Sequence, residues 1–150
     1  MFRGRYEHAI DGKGRTSLPS RFREVLTGLG DARLILTTGL DGCVVAYPLR
    51  EWAAFEQKLM GLPQFDKAVR QLRRIYFSSA VECEVDNVGR LLIPQTLRNH
   101  ADLRRDVLWT GMGPHLELWD KDRYAQMREQ ILSDEPTREE MERRLADLGL

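Results

Sequence analysis

Two cysteines, three histidines, no surplus of either charge and no long apolar run mark this 150-residue chain, and each shortage closes off a class of explanation. Cys43 and Cys83 have no Cys-x-x-Cys spacing, so neither a disulfide framework nor a zinc module is expected, and no cofactor or metal with them. As small apolar side chains in strands, both thiols are expected to be buried. His8, His100 and His115 fall in a strand, a helix end and a hairpin loop, the last expected to be exposed. No nucleophile–base order, metal-ligand spacing or phosphate-cradling glycine loop assembles around them, which argues against an enzyme and against a small-molecule substrate. No apolar stretch nears the roughly 20 residues of a membrane span. The opening Met1-Phe2-Arg3-Gly4-Arg5-Tyr6-Glu7 has no apolar segment behind its arginines, so a cytoplasmic location without a membrane partner is expected. A chain of this length buries about 68–70% of the surface its unfolded form exposes and needs no covalent staple.

What is present is unevenly placed. Although 23 bases balance 23 acids overall, residues 2–23 carry six bases (Arg3, Arg5, Lys13, Arg15, Arg21, Arg23) against two acids, a net of four positive charges. Residues 129–142 carry six acids against Arg138, a net of five negative charges. A solvated helix face accounts for the acidic run.

The chain also resembles itself. At an offset of 75, Phe2 falls on Phe77, Glu7 on Glu82, Asp11 on Asp86, Gly14 on Gly89, Arg15 on Arg90, Pro19 on Pro94 and Arg23 on Arg98. Downstream the offset becomes 72, pairing Leu36 with Leu108, Thr38 with Thr110, Gly39 with Gly111 and Tyr47 with Trp119. Three residues are therefore absent from the second copy, and the glycine-containing stretch between Leu26 and Asp31 is where such a loss is best tolerated. Two copies imply a pseudo-symmetric module, since a solenoid needs at least three.

Within each copy the pattern predicts strands over 6–10 and 15–18, then over 80–85 and 90–93, each pair closed as a hairpin by Asp11–Gly14 or Asp86–Gly89. Gly14 and Gly89 supply a positive φ. Pro19 and Pro94 each open a short helix, over 21–26 and 96–101. Second hairpins follow, pairing 34–37 with 43–47 and 107–110 with 116–119. Helical spacing recurs at Trp52, Phe55 and Leu59, and at Phe65, Ala68, Val69, Leu72 and Ile75. After the second copy a further amphipathic segment is interrupted by Pro136, and Thr137-Arg138-Glu139-Glu140 has the spacing of a capping box opening a last helix. The fold class is mixed α+β, mainly β modules with flanking helices.

The Asp-x-x-Gly-Arg runs read first as scaffold, with Asp11 and Asp86 capping their own turns. Charge then separates the copies. The frame 77–98, matched to 2–23, holds only Arg90 and Arg98 against three acids, and replaces Arg3, Arg5, Lys13 and Arg21 by Ser78, Ala80, Val88 and Thr96. Arginine holds phosphate through paired donors and reads guanine in a major groove, which a two-stranded β-ribbon fits. The first copy is therefore the candidate DNA-facing one.

Met1–His8, Asp11–Arg15 and Leu18–Arg23, with Ala80–Cys83 and Asp86–Pro94, closely resemble the MraZ family of bacterial regulators along nearly the whole chain. The resemblance implies two tandem SpoVT-AbrB modules forming a double-split β-barrel, related to AbrB-type regulators and MazE-type antitoxins. Its bounds would be module 1 over 5–47, a helical connector over 48–76, module 2 over 77–119 and an acidic helical tail over 120–150. It further implies a cytoplasmic, nucleoid-associated, ring-shaped homo-oligomer, an octamer being one such ring. The ring would bind double-stranded DNA at short direct repeats ahead of a division and cell-wall operon, repressing its own promoter. The family's DNA-contacting arginine falls on Arg15, with Arg3, Arg5, Lys13, Arg21 and Arg23 as surrounding basic surface. Asp11, Gly14, Pro19, Asp86, Gly89, Arg90 and Pro94 are then scaffold. The rival reading is an antitoxin-like module that binds a basic protein through the acidic tail.

Overall fold

The turns form as their residues require, but the strands they join part company. In the computed structural model, which describes residues 1–150, Gly14 and Gly89 both adopt φ +84°. Asp11 N–H donates to the Arg15 carbonyl at 2.9 Å and Gly14 N–H to the Asp11 carbonyl at 3.0 Å, and Asp86, Gly89 and Arg90 repeat the pattern. The eight strands are β1 (Arg5–Ala9), β2 (Arg15–Ser17), β3 (Arg33–Thr38), β4 (Val44–Pro48), β5 (Val81–Glu84), β6 (Arg90–Leu92), β7 (Asp106–Gly111) and β8 (Leu116–Asp120). The six helices are α1 (Ser20–Leu29), α2 (Leu49–Met60), α3 (Lys67–Tyr76), α4 (Gln95–His100), α5 (Lys121–Ser133) and α6 (Glu135–Asp147). The fold is mixed α+β.

The expected first hairpin of each copy is corrected. β1 pairs with β7, β5 pairs with β3, and β2 pairs with β6, so each such strand finds its partner in the other half. The exchange begins at the turn: Ile10 N–H donates to the Arg105 carbonyl at 2.8 Å, and Val85 N–H to the Ala32 carbonyl at 3.0 Å. Only β3–β4 and β7–β8 are hairpins within a half. The result is a six-stranded sheet of order β1-β7-β8-β4-β3-β5 and a separate two-stranded ribbon of β2 and β6. That order reads alike from both ends about the β4–β8 pair. Thr16 faces Leu91 and Val45 faces Glu117, so a pseudo-twofold passes through two pairs of equivalent residues.

Register also corrects the repeat alignment. Tyr6 faces Trp109 and Val81 faces Leu36, which makes Trp109, not Leu108, the counterpart of Leu36. In β3 and β7 the offset is thus 73. Two residues are lost between the helix and the strand, and the third from the hairpin loop, which shortens from Gly39–Cys43 to Met112–His115.

Residues Met1–Asp120 form one compact unit. Its core draws on both halves: Leu18, Phe22, Leu34, Leu36, Ile93, Leu97, Trp109, Leu116 and Leu118 are buried. Phe22 meets Phe2 and Tyr6 in T-shaped contacts with centroids 5.6 and 5.2 Å away, which ties the N-terminal arm to α1. Pro19 and Pro94 stand at the N-cap positions of α1 and α4, where a fixed φ suits helix entry and a missing N–H leaves no ladder bond unmade. Trp52 and Leu59 of α2 and Val69 of α3 are buried. Asp66 caps α3, and Arg73 from α3 donates to the carbonyls of Met60, the last residue of α2, and of Leu62 just past it, at 3.3 and 3.2 Å.

His115 departs from expectation. It is half-buried and stacks on Tyr47 with centroids 4.7 Å apart, so the hairpin loop folds back on the aromatic group of Tyr47, Phe55 and Tyr76. Burial lowers its pKa.

Lys121–Leu150 forms a second unit, the helices α5 and α6. Here Thr137 is not the N-cap and Pro136 does not interrupt. Asp134 caps α6, accepting from the Thr137 N–H at 3.1 Å, and Pro136 lies in the first turn, where its missing N–H costs no intrahelical bond.

Candidate nucleic-acid interface

Strand alternation settles what the β2–β6 ribbon shows. Thr16 and Leu91, facing each other, are buried, which turns Arg15, Ser17, Arg90 and Leu92 to the outer face. Arg15 and Arg90 therefore share one surface, diagonal to each other across the pseudo-twofold, although 75 positions separate them. Each is steadied by its own aspartate. Asp11 Oδ1 accepts the N–H groups of Lys13 and Arg15, both at 2.9 Å, and Oδ2 accepts Arg15 Nε–H at 3.0 Å. These contacts, the Arg15 N–H first, hold the Asp11 carboxyl below the ordinary carboxylate range. Asp86 makes the matching bonds to Val88 N–H at 3.0 Å and Arg90 N–H at 2.8 Å, but its Arg90 ion pair is looser, at 3.7 Å.

The turn residues break the symmetry. Lys13 is exposed beside Arg15, whereas its counterpart Val88 places an exposed apolar side chain beside Arg90.

The other bases divide into separate groups. Arg3 and Arg21 line one depression of about 480 Å³ with Tyr6, Phe22 and Glu24, and Arg5 lies on β1, an edge strand of the large sheet. Arg23 behaves otherwise. It packs against Gly89, where a Cβ would stand 2.6 Å from its guanidinium carbon, and its Nε is buried with no hydrogen-bond partner. Arg98 makes the reciprocal contact with Gly14 and donates Nε–H to the Ile93 carbonyl at 2.9 Å. Both glycines thus serve twice, as positive-φ turn residues and as platforms for an arginine of the opposite half. Arg98, Arg104 and Arg105 border the Asp11 turn, a convergence hidden when charge is summed along the chain. Repeat equivalence of Arg98 with Arg23 was the one available signal.

Cys43 and Cys83 are buried. Burial raises both thiol pKa values, that of Cys83 to about 11, and neither thiol is poised as a nucleophile at neutral pH.

A family model described as "MraZ protein, putative antitoxin-like" matches the chain twice, over residues 1–75 and again over 76–148. The chain belongs to the MraZ family. It is 46% identical over 150 residues to the transcriptional regulator MraZ of Pelotomaculum thermopropionicum, covering all of this chain and 99% of that one. It is 44% identical over 150 residues to that of Heliobacterium modesticaldum, covering both chains completely. Against that of Acetivibrio thermocellus it is 50% identical over 124 residues, 83% of this chain and 84% of the relative. MraZ proteins are transcriptional regulators, not enzymes.

Proposed function

We propose that this MraZ protein is a sequence-specific DNA-binding repressor of its own division and cell-wall operon, acting at short direct repeats in the promoter. The observation that supports this most directly is the β2–β6 ribbon, which carries Arg15 and Arg90 outward with Lys13 at one end. A two-stranded ribbon fits the major groove, and arginine reads guanine through paired donors. Arg15 is the principal base-reading residue, Lys13 its phosphate-binding neighbour, and Arg3, Arg5 and Arg21 further backbone contacts. Arg23, packed on Gly89, contributes by holding the turn that presents Arg90. Asp11, Gly14, Pro19, Asp86, Gly89 and Pro94 are scaffold.

The interleaved segments 5–47 and 77–119 are two SpoVT-AbrB modules of a double-split β-barrel, with 48–76 as connector and 120–150 as tail. The exchange of β1, β2, β5 and β6 between halves supports that architecture. The protein is a cytoplasmic, nucleoid-associated ring of identical subunits. Exposed apolar side chains, Phe65 between α2 and α3 and Met141 and Leu145 on α6, support self-association. No helix is long and apolar enough to cross a membrane.

The antitoxin-like reading draws on the acidic tail, but α6 neutralises much of its own charge: Glu140 pairs with Arg143 and Arg144, and Glu142 with Arg138 at 3.9 Å. A nuclease footprint of the purified protein on the DNA upstream of its own gene decides the matter. Protection of regularly spaced short repeats is expected, lost in Arg15→Ala. A footprint unchanged by Arg15→Ala, or none at all, overturns the reading.

A further inference from the structure

The pseudo-twofold relates two clefts of opposite charge. One, about 540 Å³, is bordered by Arg23, Asp31, Ala32 and the segment Val85–Asn87. The other, about 680 Å³, is bordered by Arg98, Leu103, Arg104, Arg105 and the segment Ala9–Gly12. Their equivalence is fixed by the backbone: Val85 N–H bonds the Ala32 carbonyl as Ile10 N–H bonds the Arg105 carbonyl. Arg105 therefore stands where the first cleft has Ala32, and Arg104 where it has Asp31. Among the lining residues, one guanidinium against two carboxylates has become three against one, with the buried Asp120 behind Arg104.

We propose that the Arg98–Arg104–Arg105 cleft binds a phosphate group, that of the DNA backbone flanking the bases met by the β2–β6 ribbon. This rests on the DNA-binding reading above. The donors are held in advance. Arg98 is fixed by the Ile93 carbonyl and the Gly14 platform. Arg104 is fixed by the buried Asp120, its Nε and Nη2 donating at 3.2 and 2.9 Å. Arg105 is exposed and has no carboxylate partner, which leaves its full charge to an incoming anion. The one acid at the cleft, Asp11, is occupied by the N–H groups of Lys13 and Arg15 and by the Arg15 guanidinium. The same turn carries Lys13 and Arg15, so a duplex seated on that end of the ribbon runs past the cleft. The mirror-related cleft offers no such site, because its one guanidinium, Arg23, is packed on Gly89 and Asp31 and Ala32 stand where the other cleft has Arg104 and Arg105. The second half, acidic over 77–98, thus adds positive charge to the first half's end of the ribbon.

The test is a salt titration of DNA affinity for wild type, Arg105→Ala, Arg105→Glu and Arg15→Ala, on promoter DNA and on an unrelated duplex. Phosphate contacts carry no sequence information, so Arg105→Ala is expected to weaken both duplexes by the same factor. That factor is about fivefold per neutralised phosphate at 0.15 M salt relative to 1 M, with the slope of log K against log salt smaller by about 0.9. Arg105→Glu weakens binding further. Arg15→Ala is expected to weaken promoter DNA selectively. Thermal unfolding verifies that the Arg105 variants fold, as an exposed side chain predicts. In parallel, inorganic phosphate is titrated while the amide resonances of Gly12 and Arg105 are followed, with shifts expected in wild type and absent in Arg105→Ala. If both Arg105 variants bind DNA as wild type does while Arg15→Ala fails, the cleft proposal falls and the DNA reading stands. If phosphate still moves these resonances in that case, the cleft serves a free phosphate compound, and its DNA role is overturned. If wild type binds neither duplex, the DNA reading itself fails.

Discussion

Arg98 lies over Gly14 so closely that a Cβ at position 14 would stand 2.7 Å from the guanidinium carbon. The arginine belongs to one half and the glycine to the other, and Arg23 over Gly89 completes the exchange.

Gly14→Ala and Gly89→Ala are each expected to cost about 1–3 kcal/mol, from side chains forced to positive φ, and more if the facing arginine is displaced. Gly12→Ala is the control. It sits in the same turn with open space around its Cβ position and no positive φ, so its unfolding midpoint should match wild type. Equal midpoints for Gly12→Ala and Gly14→Ala would show that the platform bears no stability.

Unequal ends of the ribbon predict unequal arginines. Arg15→Ala should weaken promoter DNA selectively, whereas Lys13→Ala should lower the salt slope of binding by about 0.9 for the phosphate it leaves unneutralised. Arg90→Ala should weaken binding less, because Val88 stands where Lys13 supports Arg15. In a ring, adjacent subunits on adjacent repeats gain roughly 10²–10⁴ in avidity, so DNA with several repeats should bind far more tightly than DNA with one. Equal effects of the two arginine variants, or equal affinity for one repeat and several, would falsify recognition by repeated copies of the Arg15 end.

His115, stacked on Tyr47, has a pKa lowered chiefly by burial and partly restored by Glu117 and Glu51, and His8 is lowered as well. The unfolded chain therefore takes up protons near pH 6.5 before the folded one does. Stability is complete above that value and falls as pH drops toward the depressed folded pKa. The thermal midpoint should decline between pH 7.5 and 5.5, and His115→Phe should flatten that decline. An identical pH profile in His115→Phe would remove His115 from the account.

With burial raising both thiols, Cys43 and Cys83 should resist alkylation in the native protein at pH 8 and react fully in urea. The check is mass spectrometry over time. Rapid native labelling would mean that the β3–β4 loop opens at Cys43 or that β5 opens at Cys83.

Much of this was legible because it is local. Positive φ at Gly14 and Gly89, helix entry at Pro19 and Pro94, the β3–β4 and β7–β8 hairpins and the burial of both cysteines follow from residues a few positions apart. The exchange of strands was not, because a turn specifies only that the chain reverses, and Ile10 finds its partner at Arg105 through packing. Matching Leu36 to Leu108 failed for a similar reason: identity favoured a register that strand pairing shifts by one. Pro136 misled because a proline that breaks a helix and one that begins it look the same until Asp134 is known to cap. Arg98, Arg104 and Arg105 stayed hidden because charge was summed along the chain, while the cleft gathers it across the fold.

The interleaving of β1 with β7, β2 with β6 and β3 with β5 has a consequence for synthesis on the ribosome. Residues 1–48 emerge with no partner for β1 or β2, and completion of the sheet waits for β8, which ends at Asp120. At about 5–20 residues per second that wait is roughly 4–14 s, during which the β4 edge of the β3–β4 hairpin stays open, and the β3 edge with it until β5 is made. The nascent first half is therefore exposed to chaperones and to neighbouring chains on the same message, and a subunit can acquire its missing strands from another copy before its own are made.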